Sequence, residues 1–418
     1  MIRKRPELFG LLLLVAVLLI SIWEPVKNGK VQQSVPEETE TVSATLPADE
    51  TQQALAILET MTRQEKLYQL FMVAPEQLVS EGETDRQAIS SKPVGGIVYF
   101  SNDIQTPEQT KMMIQRIQSA SKLGLFIGVD EEGGSVVRIA DNPQMGVQWF
   151  PAMAQVGAEN DPQQAYNVGF TIGSQIKELG FNLDFAPVAD VFSNPNNKVI
   201  GDRAFGSDPQ AVATLVEACT RGFSDSGVLC SLKHFPGHGD TGTDSHYGVA
   251  QSAKTLEQLR ACEFLPFQAG IQAGTPLVMV GHVTMPNVTE EDLPATLSKE
   301  IVETLLRQEL GYQGLVITDA MNMGAVADYY DAGEAAVLAL NAGVDVILMP
   351  EDLETAVAGV EQALDAGTLT QAQIDEKVLR ILETKIKAGI ISVQYANNKN
   401  AKIADFLENP LVIRRNLQ

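Results

Sequence analysis

One passage of the chain is dense in side chains that suit acid–base or metal chemistry. Residues 233–248 read KHFPGHGDTGTDSHYG and contain three of the 4 histidines, together with two aspartates and several glycines. Glycine at this density permits unusual backbone angles and loop movement. The passage therefore predicts a long loop with a functional role, directly after a strand.

Three interpretations of this loop compete. Imidazole and carboxylate suit zinc, so a metal site would use His234, His238 and His246 with Asp240 or Asp244. The glycines and a proline weigh against it, because they prevent the i, i+4 helical spacing that usually aligns such ligands. In the second interpretation, the loop has a structural role and packs over the mouth of the fold.

The third interpretation is proton transfer. Asp244 and His246 are two residues apart, so both side chains face the same side of an extended loop. An aspartate that orients a histidine produces a proton donor and acceptor that works near neutral pH. The spacing alone leaves the three interpretations open.

Five polar residues stand at or just past the ends of apolar, strand-like runs. In an α/β barrel the loops that follow the strands converge at one rim, where active sites are built. A doubly wound sheet would concentrate such residues at a single switch point instead. Taken singly, each is better explained as a helix N-cap or a structural histidine, but together they favour a barrel. They are Asp130, Asp190, His234, His282 and Asp319.

The elements that would position these residues alternate along the chain. Repeated strand–helix units with almost continuously apolar strands indicate a parallel sheet. The predicted strands are Gly95–Phe100, Leu125–Val129, Asn182–Ala186, Cys230–Lys233, Leu277–Val280, Leu315–Thr318 and Val344–Met349. The predicted helices include Thr106–Leu123, Asp161–Leu179, Asp208–Ser226, Lys299–Leu310 and Ala332–Ala342. With an eighth strand that the pattern does not place, this indicates an α/β fold of the TIM-like (β/α)8 barrel type.

Several segments resemble glycoside hydrolase family 3, and within it the bacterial β-N-acetylglucosaminidases that act on cell-wall fragments. The loop motif with its DSH ending is the most specific of them. The resemblance covers nearly the whole predicted barrel. The matching segments are MTRQEKLYQLF from Met61, GVDEEGG from Gly128, GDRAFGSDP from Gly201, KHFPGHGDTGTDSH from Lys233 and ITDAMNMGA from Ile317.

The resemblance implies a catalytic set. The aspartate of the ITDAM segment is the nucleophile of the family, which falls on Asp319. In the glucosaminidase branch the acid/base is the histidine of the DSH loop, so that role falls on His246 with Asp244 as its partner. The chemistry needs no metal and no organic cofactor.

The resemblance also implies residues that bind the hydroxyls and the acetamido group of a sugar: Asp130, Arg138, Arg203, Lys233 and His234. The implied activity is retaining hydrolysis of terminal, non-reducing β-linked N-acetylglucosamine from peptidoglycan or related fragments. A β-glucosidase and an N-acetylglucosamine phosphorylase of the same family are alternatives, and a catalytically silent glycan-binding protein is an alternative of another class.

Two residues depart from the family pattern. Ser135 stands where the family often has arginine, and Tyr68 stands where glycine is usual. Neither belongs to the implied catalytic set, so the departures concern the shape of the sugar subsites. After Ala388 we expect no second α/β domain of the kind that many family members carry, which would agree with a proton donor supplied by the loop.

Charge and the amino terminus bear on partners and location. The net charge of −23 and the pI near 4.5 argue against a nucleic-acid partner, because phosphate binding needs clustered lysine and arginine. Three basic residues at positions 3–5 precede an uncharged apolar run, which predicts that residues 1–23 are a signal peptide or a signal-anchor in the membrane.

The remaining organisation follows from composition. Residues 24–50 have too few large apolar groups to order and predict a disordered linker. Residues 51–390 form the predicted barrel, and residues 391–418 form a carboxyl-terminal extension. With the basic residues on the cytoplasmic side, the barrel is expected outside the cytoplasm, either anchored to the membrane or secreted.

Overall fold

The computed structural model describes residues 50–80, 82–242 and 250–391. The predicted signal segment 1–23 lies outside the described residues, as do nearly all of the linker 24–50 and of the extension 391–418. Within the described ranges, no helix is both long and apolar enough to cross a membrane. The boundaries assigned to the predicted domains stay predictions.

Ten strands occur in the described part of the chain. They are β1 Phe71–Val73, β2 Gly96–Val98, β3 Phe126–Val129, β4 Leu183–Asp184, β5 Leu229–Phe235, β6 Ala250–Gln251, β7 Leu277–Val280, β8 Val283–Thr284, β9 Leu315–Thr318 and β10 Ile347–Leu348. Eight of them form one parallel sheet in the order β10-β1-β2-β3-β4-β5-β7-β9. Strands β6 and β8 pair separately, also in parallel.

The sheet curls into a barrel whose last two strands, β9 and β10, meet at a seam. A parallel bridge joins Ile317 to Val346 across this seam. The hydroxyl of Thr318 adds a side-chain bond, because it accepts the N–H of Leu348 at 2.9 Å. The predicted TIM-like barrel is confirmed.

Helices cover the outside of the barrel. They are α1 Glu50–Thr60, α2 Arg63–Gln69, α3 Pro75–Leu78, α4 Asp85–Ser91, α5 Pro107–Ala120, α6 Met153–Ala158, α7 Pro162–Leu179, α8 Pro209–Ser226, α9 Leu256–Ala261, α10 Phe264–Gln272, α11 Gly324–Ala327, α12 Ala332–Ala342, α13 Leu353–Ala366 and α14 Gln371–Lys387. Short 3₁₀ turns lie at Pro143–Met145, Gly201–Arg203 and Ala295–Leu297, and a π-helix spans Glu300–Glu309. Helices cover the outer face of the sheet, and the inner face packs inside the barrel. Both faces of the strands are therefore buried, which explains their continuous apolar runs.

Helices α7 and α8 show how capping residues in the sequence determine where the next strand begins. Each begins at an aspartate, Asp161 or Asp208, whose side chain accepts a backbone N–H of the first turn. A proline occupies the next position, where its missing N–H costs nothing. Each helix ends at a glycine with positive φ, 104° at Gly180 and 76° at Gly227. Strands β4 and β5 begin immediately afterwards.

Three of the differences between the predicted and the observed elements have a structural explanation. The eighth strand, which the sequence pattern did not place, is β1. Only Leu70 separates it from α2, so no turn residue marks where the strand begins. Strand β4 is shorter than predicted. The side-chain oxygen of Asn182 accepts the N–H of Ile127 at 2.8 Å, where a backbone carbonyl would accept it in a regular strand. The predicted helix Lys299–Leu310 is the π-helix. Its buried residues come in adjacent groups, and over so short a segment this pattern fits the period of an α-helix as well as that of a π-helix.

Candidate active site

A cavity of about 410 Å³ opens where the strands of the barrel end. One part of its wall is apolar, with Phe100, Phe185, Met279 and Met349 among its residues. The other part is charged and contains every residue of the predicted site that the structure describes: Asp130, Arg138, Arg203, Lys233, His234 and Asp319. An apolar wall that faces fixed charges suits a ligand with a carbon face and several hydroxyls.

The charged wall is a chain of alternating ion pairs. Arg203 binds Glu132 with two hydrogen bonds of 2.8 and 2.9 Å. Lys233 lies between two carboxylates, with Nζ 2.6 Å from Glu132 and 2.7 Å from Asp130. Arg138 ends the chain, 3.8 Å from Asp130. Loops after β3 and β4 and the end of β5 are thus braced against one another.

Burial and pairing decide the charges of this chain. Burial alone would raise the pKa of Glu132, but Arg203 and Lys233 outweigh it and hold the pKa far below the ordinary value. Burial would likewise lower the pKa of Lys233, but Asp130 and Glu132 outweigh it and raise the pKa. Both groups therefore stay charged. In the described part of the chain the buried Nε of Arg138 has no hydrogen-bond partner.

Glu131 anchors the loop that carries Arg138. Its carboxylate is buried and accepts three consecutive backbone N–H groups, from Arg138 and Ile139 at 2.8 Å and from Ala140 at 2.9 Å. Burial raises the pKa of Glu131 in spite of these bonds. The loop geometry thus depends on a carboxylate at the end of β3.

Asp190 and two histidines form a second polar cluster beside the chain of ion pairs. Asp190 is fully buried, and its Oδ2 lies 2.7 Å from Nδ1 of His234. Its Oδ1 accepts the backbone N–H of His238 at 2.6 Å. Burial opposes ionisation of Asp190, but His234 outweighs it and keeps the pKa below the ordinary value.

Asp319 directly follows β9 and is partly buried at the floor of the cavity. Its backbone N–H donates to the carbonyl of Val280 at 2.9 Å, and its Oδ1 accepts the N–H of Ala320 at 2.8 Å. Burial would raise the pKa of Asp319, but the nearby imidazoles of His234 and His282 outweigh it and lower the pKa. The group is therefore ionised at neutral pH, as a nucleophile must be.

Asp244 and His246 of the glycine-rich loop lie outside the described residues. In the described ranges no group of three or more histidine, cysteine, aspartate or glutamate side chains is arranged to hold a metal ion. His234 and His238 face each other with ring centroids 5.8 Å apart. Their Nδ1 atoms are engaged by Asp190 and by the hydroxyl of Thr241.

Two carboxylates of the site were missed by the sequence analysis, Glu131 and Glu132. They follow Asp130 in an acidic run, which by itself resembles a solvated surface turn. The indication that was available is their position between the end of β3 and a pair of glycines, Gly133 and Gly134, both of which adopt positive φ. Such a turn folds the chain back, so that Glu132 lines the cavity while Glu131 binds the backbone of residues 138–140.

Comparison with known proteins decides the family. Residues 62–384 match the glycosyl hydrolase family 3 N terminal domain. The chain belongs to this family. Within glycosyl hydrolase family 3, it is 36% identical over 342 residues to the β-hexosaminidase A of Pseudoalteromonas piscicida, a match that covers 75% of this chain and 57% of that protein.

Solved structures of other proteins share the barrel. A β-N-acetylglucosaminidase from Paenibacillus sp. str. FPU-7 is similar with a TM-score of 0.74 and 38% identity, covering 79% of this chain and 63% of that one. The β-glucoside phosphorylase BglX bound to 2FGlc has a TM-score of 0.74 at 26% identity, covering 86% of this chain and 67% of that one. The chain thus spans less than two thirds of the length of the Pseudoalteromonas and Paenibacillus proteins.

The two departures from the family pattern lie away from the cavity wall. Ser135 is exposed in the turn after the two glycines, and Tyr68 belongs to α2 and is buried in the core. Neither lines the cavity.

Proposed function

We propose that this family 3 glycosyl hydrolase is a retaining exo-β-N-acetylglucosaminidase. The observation that carries the proposal is the carboxylate of Asp319, which lines the cavity with a lowered pKa near Lys233 and His234. Carboxylates and cations in that wall suit a sugar, because hydroxyl groups both donate and accept hydrogen bonds. The relatives named β-hexosaminidase and β-N-acetylglucosaminidase support the choice of sugar.

The proposed first step forms a covalent glycosyl-enzyme. An oxygen of Asp319 attacks the anomeric carbon while the bond from that carbon to the leaving oxygen breaks. His246, oriented by Asp244, gives its proton to the leaving oxygen. In retaining enzymes the nucleophile and the proton donor lie about 5 Å apart, so the proposal requires His246 to reach the cavity.

The second step releases the sugar. A water molecule attacks the anomeric carbon, the ester bond to Asp319 breaks, and the now neutral His246 takes the proton of the water. Atoms and charges balance over the two steps without a metal or an organic cofactor. Arg138, Arg203, Lys233 and the remaining polar groups of the wall would hold the sugar hydroxyls and the acetamido group in both steps.

The natural substrate in this proposal is a cell-wall fragment or a related glycan that ends in β-linked N-acetylglucosamine. The predicted signal or anchor segment 1–23 supports a substrate outside the cytoplasm, where such fragments are accessible. Phosphorolysis is the second candidate, and the similarity to BglX supports it. It would use Asp319 in the same way but replace water by phosphate.

A set of product assays tests the proposal. Aryl β-N-acetylglucosaminide and aryl β-glucoside are supplied separately, with and without inorganic phosphate, to the wild-type chain and to Asp319→Asn. We expect the first substrate to be preferred, free N-acetylglucosamine as product in both buffers, and no turnover by the variant. Preference for the glucoside, or sugar 1-phosphate as product, would replace the proposal by one of the alternatives. Turnover by Asp319→Asn would remove the nucleophile assignment.

A further inference from the structure

His282 is a rim residue that the proposed reaction leaves without a role. It follows β7, is fully buried and makes a hydrogen bond through each ring nitrogen. Its Nε2 lies 3.0 Å from the carbonyl oxygen of Ala320. A carbonyl oxygen only accepts, so Nε2 carries a hydrogen and donates it to Ala320.

The residue that His282 contacts is the one that holds the proposed nucleophile. The N–H of Ala320 donates to Oδ1 of Asp319 at 2.8 Å, while the carbonyl of the same residue accepts from His282. Asp319 is also tied by its own N–H to Val280, at the end of β7. The end of β7 therefore fixes the segment 319–320 at two points.

Thr296 holds the other side of the ring. Its Oγ1 lies 2.8 Å from Nδ1 of His282 and is 2.9 Å from the carbonyl oxygen of Gly281. The single hydroxyl hydrogen points to Nδ1 when the ring is neutral, or to the carbonyl when Nδ1 is itself protonated. The ring thus keeps both partners in either charge state, and its orientation is independent of its protonation.

We propose that His282 is a positioning residue for the covalent step, which fixes the Ala320 peptide and thereby aims the carboxylate of Asp319 at the anomeric carbon. Thr296 is the residue that holds the ring for this task. The inference rests on the proposed function, in which Asp319 is the nucleophile. It is consistent with the lowered pKa of Asp319, for which burial is outweighed by His234 and then by His282.

Two pairs of variants separate positioning from bulk stability. His282→Met removes the donor to Ala320, whereas His282→Gln keeps an N–H donor but removes the imidazole. Thr296→Val removes the hydroxyl that holds the ring, and Thr296→Ser keeps it. Each variant is assayed for kcat and KM on aryl β-N-acetylglucosaminide, for the rate of Asp319 labelling by a fluoro-sugar inactivator, for binding of N-acetylglucosamine and for the melting temperature.

We expect His282→Met to lower kcat and the labelling rate by about a hundredfold, the usual cost of a 1 Å misplacement of a reacting group. Binding of N-acetylglucosamine should change little. Thr296→Val should fall in the same direction by about tenfold, while Thr296→Ser and His282→Gln should keep most of the activity.

The pH profile adds a readout that a purely structural role would not move. The titratable groups around Asp319 in the described chain are Lys233, His234, His238 and His282. Activity is lost as the pH falls through the pKa of Asp319. Without the imidazole of His282 that pKa rises, so the acidic limb of kcat/KM should move to higher pH in both His282 variants and stay in place in Thr296→Ser.

The outcomes distinguish this inference from the proposed function. If Asp319→Asn is inactive and the wild type is labelled at Asp319, but folded His282→Met and Thr296→Val keep wild-type kcat and labelling rates, the positioning role is overturned. It is also overturned if all four variants lose activity only in proportion to sugar binding. If the inactivator labels another carboxylate, the proposed function itself is overturned, whatever the His282 and Thr296 variants show.

Discussion

Oδ2 of Asp190 lies 2.7 Å from Nδ1 of His234, so a fully buried carboxylate determines which ring nitrogen of this histidine is available to a ligand. The same carboxylate accepts the backbone N–H of His238 and therefore fixes the start of the glycine-rich loop as well. Because Asp190 orients His234 and also holds the loop, it should affect sugar binding although it does not line the cavity.

We expect Asp190→Asn to lower kcat/KM for aryl β-N-acetylglucosaminide by about tenfold to a hundredfold, the range typical for loss of a group that orients a histidine. The asparagine amide has only one acceptor oxygen. If that oxygen keeps the N–H of His238, the amide nitrogen faces Nδ1 of His234 and favours the other tautomer of the ring. Asp352→Asn is the matched control, because Asp352 is an exposed helix N-cap where asparagine works as well. Equal activities of the two variants would show that the orientation of His234 is not important for turnover.

The ion-pair chain predicts a stability effect at Glu132. Replacing Glu132 by glutamine leaves Arg203 and Lys233 buried with one counter-charge fewer, which should lower the free energy of unfolding by about 3 kcal/mol. Because the pKa of Glu132 is depressed in the folded chain, its contribution is present above the unfolded-state pKa and is lost as the pH falls. The difference between variant and wild type should therefore shrink in acid.

The control for Glu132 is Glu309→Gln on the surface. Glu309 binds Arg260 with two hydrogen bonds of 2.6 and 2.8 Å, but both side chains are substantially exposed. Exposed pairs contribute at most about 1 kcal/mol. Denaturant melts of the two variants make the comparison, and equal losses would mean that burial adds nothing to the chain of ion pairs.

The proton-donor assignment predicts a dependence on the leaving group. His246→Ala should retain most of its first-step rate on nitrophenyl glycosides, whose leaving groups depart unprotonated, and lose several orders of magnitude on a disaccharide. Asp244→Asn should act in the same direction but less severely, by misorienting the imidazole. Equal losses on both substrates, together with inactivation by chelators, would favour the metal interpretation of the loop.

The amino-terminal segment predicts a topology. With the basic residues at positions 3–5 retained in the cytoplasm, protease added to intact spheroplasts or protoplasts should digest the barrel. A cytoplasmic marker protein in the same cells should remain intact. Full protection of the barrel would place it on the cytoplasmic side.

The sequence predicted the barrel because its strands are buried on both faces and its helices carry clear caps, as at Asp161 and Gly180. It did not predict the partners inside the site. Lys233 contacts Glu132, which lies about a hundred residues earlier in the chain. No local sequence pattern indicates a contact between residues so far apart. Strand β1 was missed for a different reason, since its three apolar residues follow the end of α2 without a turn residue and are too few to show a period of their own.

The seam between β9 and β10 has a consequence for how the protein loses activity. Besides the bond to the hydroxyl of Thr318, the N–H of Val346 donates to Val316 at 3.1 Å and the N–H of Thr318 donates to Val346 at 3.0 Å, and the next residue is Asp319. Buried strands joined in this way open only at a free energy near that of global unfolding. In rising denaturant, therefore, the amide of Leu348 should begin to exchange with solvent, and turnover should cease, only when the circular dichroism of the helices is also lost.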